Sequence, residues 1–150
     1  MDDEHPITQL TTEETLKFLS EISFGRLALS IKGHPDIFPI NFAIHTRSSD
    51  HVVAYIRTSP GTKLYATAVG SPLALEADRI EGNIATSAVL YGTGRMVQHP
   101  DEFDLVDSLG LTAWVAVRKR DVIAIEVERV SGRKFRLGPA PNSTISETPD

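Results

Sequence analysis

The chain has 150 residues, 15 lysines and arginines against 20 aspartates and glutamates for a formal net charge of −5, 41% hydrophobic residues and no cysteine. This length and composition suit one domain with a buried core and exclude wholesale disorder, and the acidic balance excludes a nonspecific nucleic-acid binder, which needs a basic face. The lack of thiols removes disulfides, thiolate metal sites and a cysteine nucleophile; no apolar stretch nears the roughly 20 residues that span a bilayer, and the acidic start Met1-Asp2-Asp3-Glu4 is unlike a signal peptide, so the expectation is a cytoplasmic protein without membrane contact.

Thr11 stands as an N-cap with Glu14 three residues on, a capping box, and Leu16, Leu19 and Ile22 then recur at helical spacing, which predicts one short amphipathic helix. From Phe24 the period becomes two: Leu27, Leu29 and Ile31 share one face, with Arg26 and Ser30 on the other. Lys32-Gly33-His34-Pro35 reads as a turn, and residues 37–46 as a second strand whose Pro39 calls for an edge position or a bulge. Arg47-Ser48-Ser49-Asp50 is the next turn, and Val52, Val53, Tyr55 and Ile56 make the stretch from His51 to Arg57 a third strand. Ser59-Pro60-Gly61 breaks the pattern, and residues 62–69 read as a short helix closed by Gly70. Strands return at 73–78 and, after a loop with Gly82 and Asn83, at 87–98. His99-Pro100-Asp101-Glu102-Phe103 starts another helix, with Phe103, Val106 and Leu109 on one side. An apolar stretch to Val117, a basic cluster Arg118-Lys119-Arg120 and a long final strand over 122–130 follow. From Gly138 onward prolines and polar residues leave too little apolar surface for order, so residues 138–150 are expected to be a disordered tail. About six strands with short inserted helices and no βαβ alternation predict a mainly β antiparallel barrel with helical decorations.

The chemistry concentrates in Arg57-Thr58-Ser59-Pro60-Gly61-Thr62-Lys63-Leu64, a strand end, a turn and a helix start. Two cations with three hydroxyls there suit a phosphate, and the same residues also suit a solvated turn with an ordinary N-cap. Asn41, within Pro39-Ile40-Asn41-Phe42, is a lone amide in an apolar strand. It needs a hydrogen-bond partner, which either a heteroaromatic ring edge or a backbone carbonyl satisfies. None of the five histidines is spaced as a metal ligand pair, so no metal is expected. Trp114 reads as core or interface, and the glycines of Tyr91-Gly92-Thr93-Gly94-Arg95 as a bulge or a close backbone approach.

Four segments in this order, Phe24-Gly25-Arg26-Leu27-Ala28, Pro35-Asp36-Ile37-Phe38-Pro39-Ile40-Asn41-Phe42, Arg57-Thr58-Ser59-Pro60-Gly61-Thr62-Lys63-Leu64 and Val130-Ser131-Gly132-Arg133-Lys134-Phe135, resemble the pyridoxamine 5′-phosphate oxidase-like family of flavin-binding split β-barrels. The resemblance runs over about residues 16–137 and is nearest to the family's small bacterial members. It implies a six-stranded antiparallel split barrel over residues 1–137, a homodimer, and two FMN sites at the subunit interface. On that pattern Arg57 and Lys63 pair with the FMN phosphate, helped by Thr58 and Thr62, while Pro39, Asn41 and Phe42 lie along the isoalloxazine edge. Trp114 or the Tyr91 strand would help complete the site across the interface. The substrate-binding Arg/His pattern of pyridoxamine phosphate oxidases themselves is not recognisable; Arg133 and Lys134 occupy that region, so vitamin B6 oxidation is not implied. The resulting expectation is an FMN-binding oxidoreductase acting on a small molecule, with an F420-dependent reductase or a noncatalytic flavin-binding protein as alternatives.

Overall fold

The computed structural model describes residues 6–58, 63–111 and 122–138. Six antiparallel strands close into a ring: β2 (Phe24–Ile31), β3 (His34–Ser48), β4 (His51–Arg57), β5 (Pro72–Glu81), β6 (Ile84–Met96) and β7 (Val122–Arg136). Its order is β7-β4-β3-β2-β5-β6, and β6 then pairs with β7 to seal it, which bears out the mainly β six-stranded barrel. A seventh strand, β1 (Ile7–Gln9), lies beside the far end of β7, pairing Ile7 with Phe135.

Two long strands split the barrel by changing partners. β3 pairs with β2 through residues 34–41 and with β4 through residues 42–48, while β7 gives β4 only residues 122–126 and runs beside β6 from Ile123 to Arg136. Pro39 falls in the half of β3 that has β2 on one side and no strand on the other among the described residues, the edge position its missing N–H requires.

Alternation fills the barrel. Leu27, Leu29, Ile40, Phe42, Ala54, Ile56, Leu75, Leu90, Ile123 and Ile125 form one buried cluster, joined by Phe18 and Leu19 of α1 (Thr12–Ser20). The capping box of that helix is present: Glu14 N–H donates to Thr11 Oγ1 at 3.1 Å, and Thr11 N–H to Glu14 Oε1 at 3.0 Å. A second cluster lies outside the barrel, where Val106 and Leu111, in and after α3 (Pro100–Ser108), pack with Val53, Tyr55, Val122 and Ala124. Phe103 and Leu109 pack against it, as the helical spacing predicts. β4 is thus covered on both faces, which explains its unbroken apolar run.

The strands run longer than the sequence pattern suggests, because two hairpins turn in only two residues. Lys32 and Gly33 both have positive φ, 51° and 83°, the pairing of a type I′ turn, so β3 begins at His34 and not after Pro35. Gly82 (φ 58°) and Asn83 join β5 to β6 in the same span, extending both strands to Glu81 and from Ile84. At its far end β6 stops at Met96, short of Gln98, and β7 continues past Val130 to Arg136. Gly92 and Gly94 mark close approach: an added Cβ would stand 2.1 Å from the Glu126 carbonyl oxygen and 2.2 Å from that of Ala68. The register also shifts between Tyr91 and Gly92, so a bulge and close contacts occur together. The second contact docks the end of α2 (Lys63–Ala68) on β6, with Val69 bridged to Gly94. Residues 139–150 of the expected tail lie outside the described residues.

Candidate functional site

The outward row of β3 carries Pro39, Asn41 and Ala43, and Arg57 ends the neighbouring strand β4. Beside them the end of α3 and the end of α1 enclose a cleft of about 200 Å³, lined by Ser23, Asn41, Phe42, Leu109 and Leu111 among others. Asn41 is half-buried there, not enclosed in the core as its apolar neighbours suggest. Its carboxamide has no hydrogen-bond partner among the described residues. Phe42 is 2% exposed and belongs to the barrel core, so it forms the floor of the cleft. Pro39 is exposed and lies outside the cleft.

Arg57 is engaged with α3. Its Nε donates to the Leu111 carbonyl at 2.9 Å and its Nη2 to Asp107 Oδ1 at 3.0 Å. The Arg57 side chain is 10% exposed, and it fastens the helix end that walls the cleft. Thr58, the next residue, is 3% exposed, and its Oγ1 has no hydrogen-bond partner among the described residues. A buried hydroxyl without a partner costs about 1–3 kcal/mol. Thr62 and the Lys63 side chain lie outside the described residues, as do Trp114 and Arg118-Lys119-Arg120. Lys63 opens α2, which has only six residues, so any anion held there rests on side chains more than on a helix dipole.

Sequence reasoning missed a polar cluster on the same outer face. Glu102, in the first turn of α3, is 9% exposed and accepts from Arg95 Nη1 at 2.6 Å, Arg95 Nη2 at 2.7 Å, Arg47 Nη2 at 2.7 Å and the Tyr55 hydroxyl at 2.8 Å. Arg95 Nε also donates to Glu126 at 2.7 Å, and His51 Nε2 lies 2.7 Å from the other Glu126 oxygen. The Arg95 hydrogen bonds outweigh the cost of burial, Tyr55 adds to them, and the Glu102 carboxyl is held down at about 2. Burial pushes the Tyr55 hydroxyl above its ordinary range. Partial burial opposes ionisation of Glu126, yet Arg95 and His51 together hold its pKa below the usual carboxylate value. Arg47, Arg95, Glu102 and Glu126 line a pocket of about 440 Å³ with His99 and Leu105. Every donor on Glu102 comes from a strand, and the acceptor comes from α3, so the cluster clasps the helix to the barrel.

Among the described residues no three His, Cys, Asp or Glu side chains come together to hold a metal, and no helix is long and apolar enough to cross a membrane. The amide without a partner in the cleft suits a heteroaromatic edge, and Arg57, which bonds the Leu111 carbonyl at the cleft wall, is followed in the chain by the unbonded Thr58 hydroxyl.

A ring of six antiparallel strands that changes partners in two places, with its cleft beside β3 and β4, defines a split-barrel protein. The family model for pyridoxamine 5′-phosphate oxidase matches residues 11–134, and the chain belongs to that family. Among solved structures it is similar to a Corynebacterium glutamicum protein named provisionally as a pyridoxamine 5′-phosphate oxidase, with 31% identity, a TM-score of 0.78, and 93% of this chain and 99% of that one covered. It is similar to an FAD binding protein from Mycobacterium smegmatis at 27% identity and a TM-score of 0.76, over 87% of this chain and 100% of the other. A conserved protein of unknown function from Corynebacterium diphtheriae aligns at 36% identity and a TM-score of 0.73, covering 87% and 99%. No curated protein matches the chain.

Proposed function

We propose that this chain is a cytoplasmic, homodimeric flavin-binding oxidoreductase that takes FMN in the cleft beside β3 and β4 and acts on a small molecule. The observation that carries this reading is the pair of groups without partners among the described residues, the Asn41 carboxamide and the buried Thr58 hydroxyl, in a chain of this family. Asn41 offers an N–H and a carbonyl to the edge of a ring, over a floor formed by Phe42, with Pro39 farther along the strand. Arg57, Thr58, Thr62 and Lys63 supply two cations and two hydroxyls to a phosphate. A bound flavin would supply hydride and electron transfer, while the protein sets its position and surroundings. The α3 helix end, bolted by Arg57, limits water on one side of the cleft.

A second reading, FAD in place of FMN, is favoured by the FAD binding protein from Mycobacterium smegmatis among the similar structures. The two share the ring and differ beyond the first phosphate, so titration of the purified chain with FMN, FAD, riboflavin and F420 separates them. FMN should bind more tightly than riboflavin, and turnover of NAD(P)H with an acceptor should distinguish an enzyme from a binder. Thr58→Val removes the buried hydroxyl at nearly constant volume: it should leave the stability of the free protein unchanged or raised and weaken FMN by about 1 kcal/mol. Lys63→Ala should weaken FMN by about 1–3 kcal/mol. Riboflavin affinity should move in neither variant, and losses of equal size for both ligands would remove the phosphate assignment.

A further inference from the structure

We infer that Asp107 competes with the ligand's phosphate for the Arg57 guanidinium, and so sets how strongly the site prefers a phosphorylated ligand over its unphosphorylated form; this rests on the flavin reading above. Arg57 is held from two sides by α3 and the residues after it, through Asp107 Oδ1 at 3.0 Å and the Leu111 carbonyl at 2.9 Å. Of the charged pair, the Arg57 side chain is 10% exposed and that of Asp107 48%, so the aspartate is the partner more open to an arriving anion.

The local sequence explains why the pair exists. Asp107 lies in the last turn of α3, where the partial negative charge of the helix end disfavours a carboxylate, and that turn has no basic residue. Arg57 reaches over from β4 to supply the missing cation. A carboxylate and a phosphate seek the same planar array of guanidinium donors, and two negative charges on one guanidinium repel. Residues 109–111, which follow Asp107, wall the cleft that holds Asn41, so one helix end serves both the ring cleft and the phosphate anchor. Holding the anion and holding α3 therefore draw on the same side chain.

The test is the affinity of the full chain for FMN and for riboflavin in the wild type, Asp107→Asn and Asp107→Glu. Asparagine keeps an oxygen that accepts from Arg57, and with it the docking of α3, while removing the charge. Asp107→Asn is expected to tighten FMN by roughly two- to fivefold and leave riboflavin unchanged, since a half-exposed ion pair contributes modestly. The gain should shrink at high salt. Asp107→Glu, which keeps the charge, should retain the wild-type preference. Unchanged or weakened FMN binding in Asp107→Asn, an equal change for both ligands, or a gain in Asp107→Glu as well would overturn the inference. A wild-type chain that binds FMN and riboflavin equally overturns the phosphate reading and the inference with it, whereas a wild-type preference that Asp107→Asn leaves intact overturns the inference alone.

Discussion

Glu102 shows how much of this molecule's stability one side chain can carry. Its four hydrogen bonds come from Arg47, Tyr55 and Arg95 on three different strands, and its carboxyl titrates at about 2 against an ordinary value of 4.5. A carboxylate whose pKa is lowered by folding contributes its full stabilisation above the ordinary pKa and loses it as pH falls toward the folded value. The thermal midpoint should therefore drop between pH 4.5 and pH 2, and in Glu102→Gln it should start lower at neutral pH and fall less across that window. Midpoints that fall in parallel for both proteins would show that other carboxylates control the acid transition. In the sequence Glu102 reads only as an acid near the positive end of a helix. Arg47 and Tyr55 are far from it along the chain, and Arg95, seven residues before it, sits on a strand whose facing is set only by the fold, so nothing local announces that folding gathers them. Asn41 was legible for the opposite reason, because an amide among Ile40, Phe42 and Ile44 stands out wherever the strand is placed.

At the scale of elements, the turns decide how far the strands reach. Lys32 adopts a φ of 51°, which costs a lysine side chain strain that asparagine tolerates better. Lys32→Asn should stabilise the protein by about 0.5–1 kcal/mol, measured by urea unfolding, with the unfolding slope unchanged. A variant no more stable than the wild type would mean that the hairpin ends are not limiting. Strand interiors were legible from period-two alternation, as at Leu27, Leu29 and Ile31, whereas strand ends were not. His34, Pro35 and Asp36 look like turn residues by composition, yet a two-residue turn draws all three into β3. β1 left no signal, since Ile7, Thr8 and Gln9 are exposed and its register rests on main-chain pairing to β7.

For the whole molecule, the expected homodimer gives a direct prediction: sedimentation equilibrium should report twice the chain mass of 16.4 kDa at micromolar concentration. A single-chain mass there would require the cleft to work without a second subunit. The barrel was legible as a class from the count and spacing of strands and from four segments in family order. The points where β3 and β7 change partners were not, because they depend on which edge of a long strand is vacant and not on which residues it contains.

β7 carries a consequence for how the chain is made. It pairs with β6, with β4 and with β1, and it follows all of them in the chain, so each of these partners leaves the ribosome before it. Until it emerges, β4 and β6 present open edges that can pair with a neighbouring nascent chain, and most of the contacts that close the barrel lie far apart in sequence. Closure of the barrel must therefore wait until β7 has emerged, and a ribosome stalled before Val122 would hold a chain with two strands in search of a partner.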